Sequence, residues 1–158
     1  MKSNKRGFSL VELIIVIAIL GILSSLIGIG IPAYQRFSDA KQLEMGTRTI
    51  LQMLLRARSH AVMDGYDRRI YIYPDTGRFL VKKHKYPGDP PGESFYLSQG
   101  IKIQENTYIG SNLLELKSIG TVSKGGHITF RSPRGRYRTI VVQIGTGRIY
   151  MKEGMIDD

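Results

Sequence analysis

Residues 2 to 23 read "KSNKRGFSLVELIIVIAILGIL". Three cations, Lys2, Lys5 and Arg6, precede an apolar run that continues to Ile31, and Glu12 is the only charge inside that run. The run from Phe8 to Ile31 is 24 residues. At about 1.5 Å per helical residue it is long enough for a hydrocarbon core of roughly 30 Å. The basic head would stay on the cytoplasmic side and the rest of the chain would lie across the membrane. A secretory signal peptide has a shorter apolar stretch and a small-x-small cut site; here the far end reads "GIGIPAYQRF". A plain anchor leaves Glu12 unexplained, since a mid-bilayer carboxylate costs about 2.5–3.5 kcal/mol. A cut after Gly7 changes this. Phe8 becomes the N-terminus, and its α-ammonium lies four residues from Glu12, on the same helix face. Buried charges are tolerated mainly when paired, so Glu12 fits a chain whose N-terminal helix packs in a bundle with others.

"KRGFSLVELIIVIAILGIL" resembles the class III leader and N-terminal helix of type IV pilins and pseudopilins. The resemblance implies a leader over 1–7 removed by a prepilin peptidase between Gly7 and Phe8, N-methylation of Phe8, and subunit docking through Glu12. It implies a single-pass precursor in the bacterial inner or cell membrane, N-terminus cytoplasmic and C-terminal domain periplasmic or extracellular. An ATPase-driven machine would then draw the subunit into a pilus or pseudopilus, where it meets other subunits through their N-terminal helices. Gly21 and Pro32 resemble the positions between which pilin helices loosen, with Pro32 a few residues later than in the commonest pattern. The physics agrees: a helical glycine costs up to about 1 kcal/mol and an internal proline about 3. Gly28, Gly30 and Pro32 together therefore mark a kink or local melting point, or a simple bend near the headgroups.

Beyond Pro32, Leu43, Ile50, Leu54, Ala57 and Ala61 recur at helical spacing with Leu51 and Val62 beside them. Lys41, Arg48, Arg56 and Arg58 fall on the polar face, and Gly65 is a stop signal. The period then shifts to two. "RRIYIYPDTGRFLVKK" predicts strand, turn and strand, with short strands near 95–98, 101–104 and 113–117. "GHITFRSPRGRYRTIVVQIGTGRIYMK" predicts strands at 126–131, 137–144 and 148–152. The segments are thus a leader at 1–7, a transmembrane and assembly helix at 8–31, its amphipathic second half at 32–65 and a β-rich domain at 66–158. The fold class is α+β, a long helix packed on antiparallel sheet. "LLRARSHAVMDGYDRRIYI", "GGHITFRSPRG" and "GTGRIYM" resemble the H-type minor pseudopilins and FimT-like minor pilins, with Gram-positive competence pseudopilins sharing similar endings. That resemblance implies a minor subunit at or near the filament tip of a type II secretion pseudopilus or type IV pilus.

The chain has no cysteine, so neither a disulfide nor a thiolate metal site is available. His60, His84 and His127 have no metal-ligand spacing, there is no phosphate loop, and "GTGRIY" lacks the third glycine of a dinucleotide fingerprint. No Gly-x-Ser-x-Gly elbow occurs. Asp64 and Asp67 flank Gly65 as a solvated helix end rather than a calcium site. No catalytic residue, cofactor or metal is expected.

The formal charge is +10, of which residues 8 to 158 carry +7. Such an excess attracts nucleic acid, anionic lipid or acidic protein. Arg131, Arg134, Arg136 and Arg138 fall within eight residues, and in a strand Arg136 and Arg138 share a face. Arg148 and Lys152 are expected on the partner strand. Arginine forks grip phosphate oxygens without reading bases, so the alternative function is a minor pilin or competence pseudopilin that binds DNA for uptake. FimT-like proteins implicated in DNA uptake carry a Gly-Arg-x-Arg motif; here Gly147-Arg148-Ile149-Tyr150 puts tyrosine in its last place. The other reading of these arginines is an edge kept soluble, or contact with neighbouring pilins.

Overall fold

A computed structural model describes residues 9–84, 88 and 91–156, with the side chains of 26–31 excepted. The leader, Gly7 and Phe8 lie outside the described residues, as do the side-chain surroundings of Gly28 and Gly30. Helix α1 runs Leu10–Asp64, with Pro32 inside it. The chain divides into two compact units, Met1–Ser38 and Asp39–Asp158.

In the first unit the aliphatic side chains from Leu10 to Leu23 are exposed on all sides of the helix. Ser24 and Ser25 return their hydroxyls to the Leu20 and Ile22 carbonyls, each at 2.7 Å, which satisfies two polar groups without a partner from outside. Helical backbone continues through Gly21, Gly28, Gly30 and Pro32. Among the described residues no helix is long and apolar enough to cross a membrane. The run 8–31 includes Phe8 and residues 26–31, whose side chains fall outside that set.

In the second unit, the predicted stripe of α1 is the buried one: Leu43, Ile50, Leu54, Ala57 and Ala61 are all core. Met53 joins them, whereas Val62 is 52% exposed and lies off the stripe. Thr47 is fully buried inside the helix, its hydroxyl donating to the Leu43 carbonyl at 2.8 Å. Gly65 stops the helix with φ 73°, and its N–H donates to the Ala61 carbonyl at 3.1 Å.

Among the described residues eight strands follow: β1 Arg68–Tyr73, β2 Arg78–Lys83, β3 Glu93–Tyr96, β4 Lys102–Asn106, β5 Leu113–Leu116, β6 Gly126–Arg131, β7 Tyr137–Val142 and β8 Ile149–Glu153. The strand expected near 95–98 sits earlier, at β3. The strands form two antiparallel four-stranded sheets, ordered β3-β2-β1-β5 and β4-β6-β7-β8. The chain therefore changes sheet three times, between β3 and β4, between β4 and β5, and between β5 and β6. The crossing between β4 and β5 is held by side-chain amides. Asn106 donates to Asn112 at 2.8 Å and accepts from the Tyr108 N–H at 3.1 Å, and the Asn112 carbonyl accepts from the Ile72 N–H at 2.8 Å.

Both inner faces meet the helix stripe in one core. Ile70, Ile72, Phe79, Leu114 and Leu116 come from the first sheet, and Ile128, Phe130, Ile140, Val142 and Ile149 from the second. The Phe79 and Phe130 rings sit 6.3 Å apart across it. Tyr108 is fully buried with no hydrogen-bond partner for its hydroxyl, and burial pushes its phenol well above the usual range.

A charge network closes the first sheet's end nearest the helix terminus. Asp64 accepts from Arg68 and, at 2.9 Å, from Lys83. Asp67 and Glu115 share Lys117, each at 3.1 Å, and Glu115 also takes Arg69 at 2.6 Å. Burial opposes ionisation of Asp64, but the Arg68 and Lys83 hydrogen bonds and the Tyr66 N–H outweigh it and bring the carboxyl from 3.8 to about 2. A depressed carboxylate contributes stability above its unfolded pKa and loses it as pH falls through the folded one. In thermal melts of the full chain in detergent micelles, the gap between wild type and Asp64→Asn should be constant at neutral pH and should narrow from about pH 4 to about pH 2.

Candidate functional site

Of the residues expected to serve processing and docking, Gly7 and Phe8 lie outside the described residues and Glu12 lies near the start of α1. Glu12 is exposed in the first helical turn, where the helix dipole favours a carboxylate. Exposed neighbours Val11, Leu13, Ile15 and Val16 surround it. Among the described residues Glu12 makes no ion pair, and the surface around it is aliphatic. Packing that surface would bury Glu12 and demand a cation from the packing chain.

The arginines predicted as one constellation are separated. Arg131 ends β6, Arg134 and Arg136 lie in the turn, and all three are exposed. Arg136 therefore precedes β7, and it lines a recess with Arg138 beside Ala40 and Leu43 of α1. Register puts Arg138 on the inner face with Ile140 and Val142. It donates to Glu153 at 2.7 Å and approaches Glu44 of α1 at 3.9 Å. Glu44 in turn pairs with Lys41 at 3.3 Å and Arg48 at 3.1 Å, and its carboxyl is lowered first by Lys41, then by Arg138 and Arg48. Arg138 is thus a structural cation. Arg148 stands at the opposite end of β7 from Arg136, a strand length of about 20 Å away, with its guanidinium 5.3 Å from the Tyr150 ring. Lys152 of β8 pairs with Thr139 and faces outward with Lys102 and Arg131.

The turn that carries Arg134 and Arg136 is fastened to the helix. The Ser132 hydroxyl donates to Asp39 at 2.6 Å and accepts from the Arg136 N–H at 3.1 Å, and the Ser132 N–H donates to the Arg136 carbonyl at 2.9 Å. Asp39 and Ser132 are both buried. Gly135 supplies the left-handed residue at φ 78°. Periodicity carries no signal for this latch, because Asp39 and Ser132 are remote in sequence.

A second fastening lies at the other end of the β7–β8 hairpin. Arg58 donates to the Gly120 carbonyl at 2.8 Å and the Thr146 carbonyl at 3.2 Å. Gly147 sits there at φ 61°, and a Cβ would collide with the Gly120 carbonyl. The "GTG" of the last turn is therefore a close-approach turn, and Arg58 is a clamp rather than a solvated helix cation.

His127 is buried on the outer face of the second sheet, with Nε2 3.3 Å from Glu105. Among the described residues no group of three or more His, Cys, Asp or Glu is placed to hold a metal.

Residues 2–28 match the family described as the prokaryotic N-terminal methylation motif. The fold is similar to two structures of the minor pseudopilin EpsH from the type 2 secretion system of Vibrio cholerae. One superposes with a TM-score of 0.55 at 18% identity, covering 71% of this chain and 97% of that one. The other gives 0.54 at 15% identity, covering 72% and 97%. The motif match is confined to residues 2–28, and the α+β fold is similar to that of the minor pseudopilin EpsH.

Removing the Ser132 hydroxyl should leave the buried Asp39 carboxylate without its donor. Ser132→Ala is expected to cost about 1–3 kcal/mol, read as a lowered Tm. It should also speed proteolysis at Arg134 and Arg136, which the wild-type latch holds in place.

Proposed function

We propose that this chain is a minor pseudopilin, a structural subunit of a type II secretion pseudopilus or type IV pilus. The observation that carries the reading is a methylation motif over residues 2–28 on a chain whose second unit has the pseudopilin fold. The precursor is anchored in the cell membrane through residues 8–31 and cut between Gly7 and Phe8, and the new amine at Phe8 is methylated. Glu12 then meets the N-terminal amine of a neighbouring subunit as their helices pack. That supplies the cation its aliphatic surroundings demand. The backbone near Gly21, Gly28, Gly30 and Pro32 loosens on assembly, since these residues weaken helix most. A place at or near the filament tip follows from the resemblance to H-type subunits.

Intact mass of the protein purified from its host should show loss of residues 1–7 and one methyl on Phe8. A mature chain beginning at Met1, or beyond residue 31, would overturn the reading. Glu12→Val should be cut normally yet be absent from sheared filaments, because only the docking charge is removed.

A second reading, DNA capture for uptake, rests on the exposed Arg131, Arg134 and Arg136 with Lys102 and Lys152 on the adjoining sheet face. Because Arg138 is paired and Arg148 is a strand length away, duplex affinity should fall with Arg134→Glu plus Arg136→Glu. It should be insensitive to Arg148→Glu, and should weaken steeply as salt rises. Unchanged binding in the double variant would remove this reading.

A further inference from the structure

The outer end of the first sheet is open. β3 pairs with β2 on one side, and among the described residues no strand pairs with its other edge. The Leu97 N–H donates to the Gly77 carbonyl at 3.0 Å. By antiparallel alternation Phe95 and Glu93 also turn their backbone groups toward β2, so Ser94 and Tyr96 turn theirs to the open edge. α1 runs beneath that edge with its surface uncovered there: Met45 is 59% exposed, and Thr49 and Gln52 are exposed beside it.

Two recesses lie along this line. One of about 450 Å³ opens over Met45, Met53 and Phe95. The next, of about 160 Å³, lies between α1 and β2–β3 and reaches His60. They share Met53, Arg56 and Phe95 and form one groove. Its floor is apolar and its charged lining is mostly cationic, with Glu93 its one carboxylate among the described residues. Arg56 is exposed and makes no ion pair among the described residues, whereas Arg68 at the deep end is already held by Asp64 and the Tyr66 carbonyl.

We propose that this groove receives an extended acidic segment of another protein, laid against β3 as an added strand. Its main chain would bond to Ser94 and Tyr96. Every second side chain would point down toward α1, so an apolar residue fits over Met45, Met53 and Phe95 and an acidic one two places along meets Arg56. The charge selects the occupant. A chain of net charge +10 disfavours a second copy of itself and favours an acidic partner. The proposal concerns the folded domain and stands whether or not the chain enters a filament.

The test uses the full chain in detergent micelles and a fluorescein-labelled peptide, Leu-Thr-Glu-Thr repeated twice. Fluorescence anisotropy should show saturable binding that weakens about tenfold or more in Arg56→Glu, a variant whose circular dichroism and Tm should match wild type. The peptide with lysine in place of glutamate should not bind. Backbone N-methylation of alternate peptide residues should abolish binding, because it removes strand pairing while leaving charge and protein untouched. Equal binding to Arg56→Glu, or equal binding of the N-methylated peptide, would overturn the proposal. So would binding lost in Arg134→Glu plus Arg136→Glu but kept in Arg56→Glu, which would mean diffuse attraction to the arginine turn. Wild-type dimerisation abolished by Arg56→Glu would assign the groove to a second copy and also overturn it.

Discussion

The second unit depends on a single stripe of helix α1 that two sheets share as their wall. Leu43, Ile50, Met53, Leu54 and Ala57 touch a core fed from both sheets. A fully buried Leu, Ile or Met side chain contributes about 1.5–3 kcal/mol, so this stripe supplies much of what offsets the entropy of ordering eight short strands. It also explains why the chain can change sheet three times without breaking the core. Each sheet buries its inner face against the same helix and against the other, as the Phe79–Phe130 contact shows.

Around the stripe, polar side chains of α1 reach out and hold the loops. Asp39 takes the Ser132 hydroxyl, Glu44 takes Arg138, and Arg58 donates to two loop carbonyls. Two of these ties fall near the start of β7 and the third beyond its far end. A backbone carbonyl buried near a loop must find a donor, and a guanidinium with several fixed donors can serve two at once. This arrangement redistributes the chain's cations. Arg58 and Arg138 are absorbed into structure, Arg148 lies beside Tyr150, and exposed arginines stand at the Arg131–Arg136 turn and, as Arg56, at the groove by β3.

That division bears on function. In the proposed function Glu12 and the motif around it serve assembly, through chemistry confined to the first helical turns. The cationic surfaces concern what the folded domain meets. The two are carried by different units of the chain, so a change at one need not disturb the other. A subunit that joins a filament through its N-terminal helix keeps its domain surfaces for other partners.

The methylation motif, the helix stripe and the strand positions were legible in the sequence because each is written in local periods: charge then apolar run, a repeat near 3.6, and alternation by two. Leu43, Ile50, Leu54, Ala57 and Ala61 are buried as that repeat requires, and Gly65 ends the helix where a left-handed residue is needed. The sharing of strands between two sheets was not legible, since pairing joins residues far apart and period says only that a strand has two faces. Arg138 and Arg58 illustrate the same limit. Each looked like a surface cation beside its sequence neighbours, and each is drawn to a carboxylate or carbonyl that only the folded chain brings within reach. The sequence alone determined which segments are helix or strand and where the processing motif lies, because those depend on near neighbours. The tertiary structure alone decided which cations are left for partners, because a charge is freed or spent by what packs against it.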